Sequence, residues 1–128
     1  MKNTKKILIV EDEKPIVEAL TIKLTKEGYE PHFATTGEAG LALTKDLHPD
    51  LILLDFILPD MDGLSFLKTL RLDKWGKSAQ VLILTNLSDG KIADEVAEYG
   101  VFDYLIKADW RLDDVVKKVK EKVGRGNK

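Results

Sequence analysis

The sequence predicts an α/β fold in which one parallel sheet lies between two layers of helices. Short apolar runs recur along the chain without polar alternation, the pattern of strands covered on both faces. Between them, apolar residues return every three or four positions, which is the spacing of a helix face. Strand and helix alternate five times over 128 residues with connections of a few residues, so a single three-layer αβα domain fits better than two subdomains. Its crossovers are expected to be right-handed.

Taken in order, the first strand is Ile7-Leu8-Ile9-Val10. Pro15 then suits the opening of a helix, whose stripe Ile16, Leu20 and Leu24 ends at Gly28. Glu30 to Ala34 is a weaker strand, and Pro31, which cannot donate to a central ladder, places it at the border of the sheet. Ala39, Leu43 and Leu47 give the second helical stripe. The run Leu51-Ile52-Leu53-Leu54 is the central strand and ends in a carboxylate, Asp55. Phe66, Leu67 and Leu70 mark the third helix, Val81 to Leu84 the fourth strand, and Ile92, Ala93 and Val96 a helix ending near Gly100. Tyr104-Leu105-Ile106 is the last strand, and Leu112, Val116, Val119 and Val123 line the last helix. Gly124 stops it, so residues 1–124 read as one domain and 125–128 as a short solvated tail with no output domain. Trp75, Trp110, His32 and His48 belong to no motif and read as packing residues.

Composition narrows the function. A formal net charge of -2 and a pI of about 5.7 provide no basic footprint for direct nucleic-acid binding. The absence of cysteine removes disulfides, thiolate metal sites and cysteine nucleophiles. The basic start of the chain is followed by only four apolar residues before Glu11-Asp12-Glu13, too few for a secretory signal, and no apolar run approaches the roughly 20 residues of a membrane span. A cytoplasmic protein without membrane contact is the expectation.

In a parallel sheet the carboxyl ends of all strands share one edge, and that edge is where open α/β sheets bind ligands. The residues arriving there are Glu11 and Asp12 after the first strand, Asp55 at the third, Thr85 at the fourth and Lys107 at the fifth. Singly, Asp55 could cap a turn and the acidic run could complement a helix start. Together, three carboxylates would repel one another unless a cation neutralises them. Hard oxygen ligands without Cys or His select Mg²⁺, with Mn²⁺ as the alternative. Asp55 is then placed to act as an oxygen nucleophile toward phosphorus, with Lys107 and Thr85 facing the transferred group's oxygens.

These residues, with Leu53-Leu54-Asp55, Leu58-Pro59-Asp60-Met61-Asp62-Gly63 and the pair Tyr104 and Lys107, make the chain resemble the receiver domain of two-component response regulators along nearly its whole length. The resemblance implies a flavodoxin-like, doubly wound five-stranded parallel sheet of order 2-1-3-4-5 with five helices. It implies Asp55 as phosphoacceptor, supplied by a sensor histidine kinase or a phosphotransfer protein. Asp12, Asp55 and the backbone carbonyl of Ile57 would ligate the metal directly, and Glu11 through water. Thr85 and Tyr104 match the family's switch pair. The face built from the fourth helix, fifth strand and fifth helix would then change its affinity for a downstream protein or a second copy.

The chain departs from the family pattern at four positions. Ala108 follows Lys107 where the family usually has proline, and a non-proline bond favours trans by roughly 2.5 to 4 kcal/mol. Asn86 replaces a small residue beside the phosphoryl position. Ile57 and Leu87 flank the reacting centre without a group able to orient water, so slow self-dephosphorylation is expected rather than enzymatic turnover. The competing readings are a receiver portion of a longer DNA-binding regulator or hybrid kinase, a metal-dependent phosphatase, and a receiver-like binding module insensitive to phosphate.

Overall fold

The computed structural model describes residues 4–86, 90–107 and 111–127. Its elements alternate as the sequence predicts: β1 (Lys6–Val10), α1 (Lys14–Lys26), β2 (Glu30–Ala34), α2 (Gly37–Leu47), β3 (Leu51–Asp55), α3 (Gly63–Leu72), β4 (Val81–Thr85), α4 (Gly90–Ala97), β5 (Tyr104–Ile106) and α5 (Leu112–Val123). A 3₁₀ turn, Gly76–Ser78, precedes β4. All strand pairs are parallel, and the sheet order is β2-β1-β3-β4-β5. The first three helices, the central strands and the sheet border therefore stand where periodicity and Pro31 put them.

The core strands are apolar over residues 7–10, 51–54 and 81–84 because each side of the sheet is covered there. Leu8, Val10, Ile52, Leu54 and Ile83 pack with Phe66, Leu67 and Leu70 of α3 and with Ile92 and Val96 of α4. The alternate residues Ile7, Ile9, Leu51, Leu53, Leu82 and Leu84 pack with Leu20 and Leu24 of α1 and Val115, Val116 and Val119 of α5. Burial on both faces holds the strand ends in a fixed plane, and the site depends on that.

One expectation needs correction. Of the predicted α2 stripe, Leu43 packs partly buried against the core and Leu47 is half-buried, but Ala39 is exposed, and the fully buried positions are Gly37, Gly40 and Thr44. Close approach is the reason, since a Cβ on Gly40 would lie 2.9 Å from a Val10 methyl and 3.2 Å from the Phe66 ring. The tail, exposed at Gly124, Arg125 and Asn127, also bonds back to the turn after α1. Asn127 donates its N–H to the Gly28 carbonyl at 2.9 Å, and the Tyr29 hydroxyl donates to the Gly124 carbonyl at 2.7 Å. Gly28, at φ 90°, supplies the left-handed turn that ends α1 and leaves room for that contact.

Side chains also join elements that no periodicity connects. The Arg71 guanidinium donates to the carbonyls of Tyr99, Gly76 and Ala79 at 2.9, 2.7 and 2.7 Å. His48, at the left-handed end of α2, stacks on Trp75 with ring centroids 4.7 Å apart, while His32 bonds Glu30 on β2. Trp110 lies outside the described residues. Among the described residues, no helix is long and apolar enough to cross a membrane.

Candidate functional site

The site forms where β1, β3, β4 and β5 end. The Glu11 N–H continues the ladder by donating to the Ala34 carbonyl, and that of Lys107 does the same toward the Thr85 carbonyl at 2.7 Å. Both residues are thus carried as extensions of strands, which fixes where their side chains start. Asp55 is the last residue of β3 and pairs in register with Leu84, so Thr85 stands one step beyond it on the neighbouring strand. Thr85 is buried.

Carboxylate oxygens of Glu11, Asp12 and Asp55 all lie within 4.8 Å of one another. Glu11 and Asp55 are buried, whereas Asp12 is exposed toward solvent. The Lys107 ammonium enters this nest and lies 2.6 Å from Glu11 Oε1, 3.1 Å from Asp55 Oδ2 and 2.9 Å from Glu13 Oε2. Burial pushes the Glu11 carboxyl up to about 7, against the lowering influence of Lys107 and of the Glu13 N–H. Burial works to lower the Lys107 ammonium, but its bonds to Glu11 and Glu13 prevail and hold it above the ordinary lysine range. The nest therefore resists holding all its negative charge with one ammonium as counter-ion.

The loop after Asp55 orients that carboxylate. The Ile57 N–H donates to Asp55 Oδ1 at 3.2 Å, the loop closes through an Ile57 to Asp62 bridge, and Asp62 starts α3 by accepting from the Ser65 N–H at 2.8 Å. Asp60 accepts from the N–H groups of Gly37 and Glu38, tying this loop to the start of α2. The Ile57 side chain is 56% exposed, and Asn86 is exposed beyond β4. Tyr104 is half-buried at the start of β5 and packs against the core on the α3 and α4 side. Leu87 and the Lys107-Ala108 peptide bond fall outside the described residues.

A divalent cation fits this donor set. Glu11 Oε1 is buried with the ammonium close by but out of hydrogen-bonding alignment, and the other available atoms are carboxylate oxygens that suit a hard cation. Strand-end positions alone identify Glu11, Asp12, Asp55 and Lys107 as neighbours. Glu13 as a third carboxylate on Lys107 escapes that reading, because it lies three residues past the end of β1 and presents itself only as a helix-start residue.

Residues 7–120 match the response regulator receiver domain family. The chain belongs to this family. As a receiver domain it is 36% identical over 102 residues to the regulatory protein AtoC of Escherichia coli, covering 80% of this chain and 22% of that protein. It is 39% identical over 104 residues to the DNA-binding dual master transcriptional regulator RpaA of Synechocystis, covering 80% of this chain and 42% of that one. The receiver chain thus spans less than half the length of either relative. Its backbone superposes on a response regulator receiver domain protein of Methanospirillum hungatei with a TM-score of 0.86 at 29% identity, over 94% of each chain. Receiver domains of this family belong to two-component systems, and the sheet order and acidic cluster described above accord with that membership.

Proposed function

We propose that this receiver domain is a phosphorylation-controlled switch that accepts a phosphoryl group on Asp55. The observation carrying this reading is the Lys107 ammonium 3.1 Å from Asp55 Oδ2 inside a nest of three carboxylates. An Asp55 oxygen forms the new O–P bond while the donor's P–N bond breaks, and the electron pair leaves with the nitrogen of a histidine kinase or phosphotransfer protein. The Ile57 N–H on Oδ1 fixes the rotamer of the attacking carboxylate. Lys107 donates to the incoming oxygens, and Thr85 lies on the adjacent strand end to do the same. Asp12, Asp55 and the Ile57 carbonyl, with Glu11 through water, would hold Mg²⁺ or Mn²⁺, which would supply charge neutralisation for the phosphoryl oxygens.

Phosphorylation then favours a conformation in which Thr85 and Tyr104 rearrange, which alters the surface of α4, β5 and α5 for a protein partner. Half-burial of Tyr104 supports this, because the ring has core to turn into. Within this reading the domain changes its partner's state and does not turn over a substrate. The test is intact mass after incubation with Mg²⁺ and acetyl phosphate. One added phosphoryl group is expected on the wild type, with none on Asp55→Asn or in the presence of a chelator. An unmodified wild type overturns the reading in favour of a phosphate-insensitive module.

A second reading, that the chain is the receiver part of a longer DNA-binding regulator, is favoured by its short span on RpaA. In that case DNA contact would come from segments outside this acidic domain.

A further inference from the structure

We propose that Glu13 is a positioning residue for Lys107. Glu13 occupies the N-cap position of α1, yet its side chain makes no capping hydrogen bond. N-cap positions favour short acceptors such as Ser, Asp and Asn, which reach back to the helix N–H groups. The Glu13 carboxylate instead reaches across the site and accepts from Lys107 Nζ at 2.9 Å. Its backbone N–H meanwhile donates to Glu11 Oε2 at 3.0 Å. Glu13 therefore closes a ring: main chain to Glu11, Glu11 to Lys107, and Lys107 back to the Glu13 side chain.

The ring matters because the three carboxylates on Lys107 differ in what else they must do. All three carboxylates lie within ion-pair distance of the ammonium, but Glu13 is the one that accepts an aligned hydrogen bond from it. Glu11 and Asp55 belong to the cation-binding nest, and when a divalent cation is bound their charge is shared with it. Glu13 is half-exposed and outside that nest, so it is the carboxylate left to hold the ammonium facing Asp55. Without Glu13, Lys107 would lean wholly on Glu11 and Asp55 and compete more strongly with the cation.

The inference rests on the acceptor reading of Asp55 for its consequence in phosphotransfer, but its test does not. Mg²⁺ affinity is measured by titration calorimetry on the wild type, Glu13→Gln, Lys107→Met and the double variant, after melting curves confirm that each is folded. Glu13→Gln is expected to weaken Mg²⁺ binding about three- to fivefold, the size of one partly exposed ion pair. In the Lys107→Met background the same change should weaken binding less than about twofold, because only remote charge is lost. A loss of equal or greater size without Lys107, or no loss with it, overturns the proposal. Acetyl phosphate labelling of the same proteins separates the two ideas: failure of every protein to gain mass would sink the acceptor reading while the Mg²⁺ cycle still decides on Glu13.

Discussion

The Arg71 Nε lies 2.9 Å from the carbonyl oxygen of Tyr99, so the end of α3 is fastened to the turn that follows α4. The same guanidinium holds the Gly76 and Ala79 carbonyls before β4. One cation thus fastens two turns, the one at 76–79 and the one after α4, to the end of α3. Arg71→Ala is expected to cost about 2 to 4 kcal/mol in urea denaturation, because partly buried carbonyls lose their donors. Arg71→Lys should recover less than half of that, since a point charge cannot replace a planar fork. An alanine variant as stable as the wild type would show that water replaces Arg71 without penalty.

Gly40 faces Val10 and Phe66 where α2 crosses β1. Alanine there gains helix propensity but forces a methyl against a stiff β-branched side chain. The expected balance is a net loss of roughly 1 to 2 kcal/mol. A rise in melting temperature for Gly40→Ala would mean that α2 moves outward at little cost.

Asp103 contacts Lys122 and, at 3.8 Å, Lys118, which ties the start of β5 to α5. The Lys122 ammonium holds its carboxyl below the usual range, with burial opposing. A carboxyl lowered in the folded state contributes stability above its unfolded value of 3.8, and that contribution disappears as pH falls through the lower folded value. Asp103 is about one-third exposed, so the effect is screened and below about 1 kcal/mol. Asp103→Asn should therefore lower the melting temperature slightly at pH 7 in low salt and leave it unchanged near the acid end. An equal deficit at both would assign the loss to packing.

Ile57 presents an apolar, 56% exposed side chain next to Asp55. With no hydrogen-bonding group there to orient an attacking water, a phosphoryl group on Asp55 is expected to decay over hours rather than seconds, followed by intact mass after the donor is removed. Ile57→Asn should shorten its lifetime several-fold. Decay within seconds in the wild type would contradict the expectation.

The readable and unreadable parts of this chain divide along physical lines. Buried strands declare themselves because cover on both faces demands unbroken apolar runs, and a parallel sheet then brings Glu11, Asp12, Asp55 and Lys107 to one edge. The face of α2 is only partly legible because its fully buried positions are glycine and threonine, which serve close approach and not hydrophobicity. Arg71 and Glu13 stayed hidden for another reason. Their partners are a set of carbonyls and a lysine far along the chain, and a polar residue's reach leaves no periodic trace.

Pro31 has a consequence beyond marking the border of the sheet. Glu30 turns its N–H inward to the Lys5 carbonyl, so the next residue faces outward, and at that position the chain has no N–H to offer. A foreign strand laid along this rim would meet a missing donor in the middle of its would-be template. Fibril-like growth is opposed there by one five-membered ring closed on the backbone nitrogen.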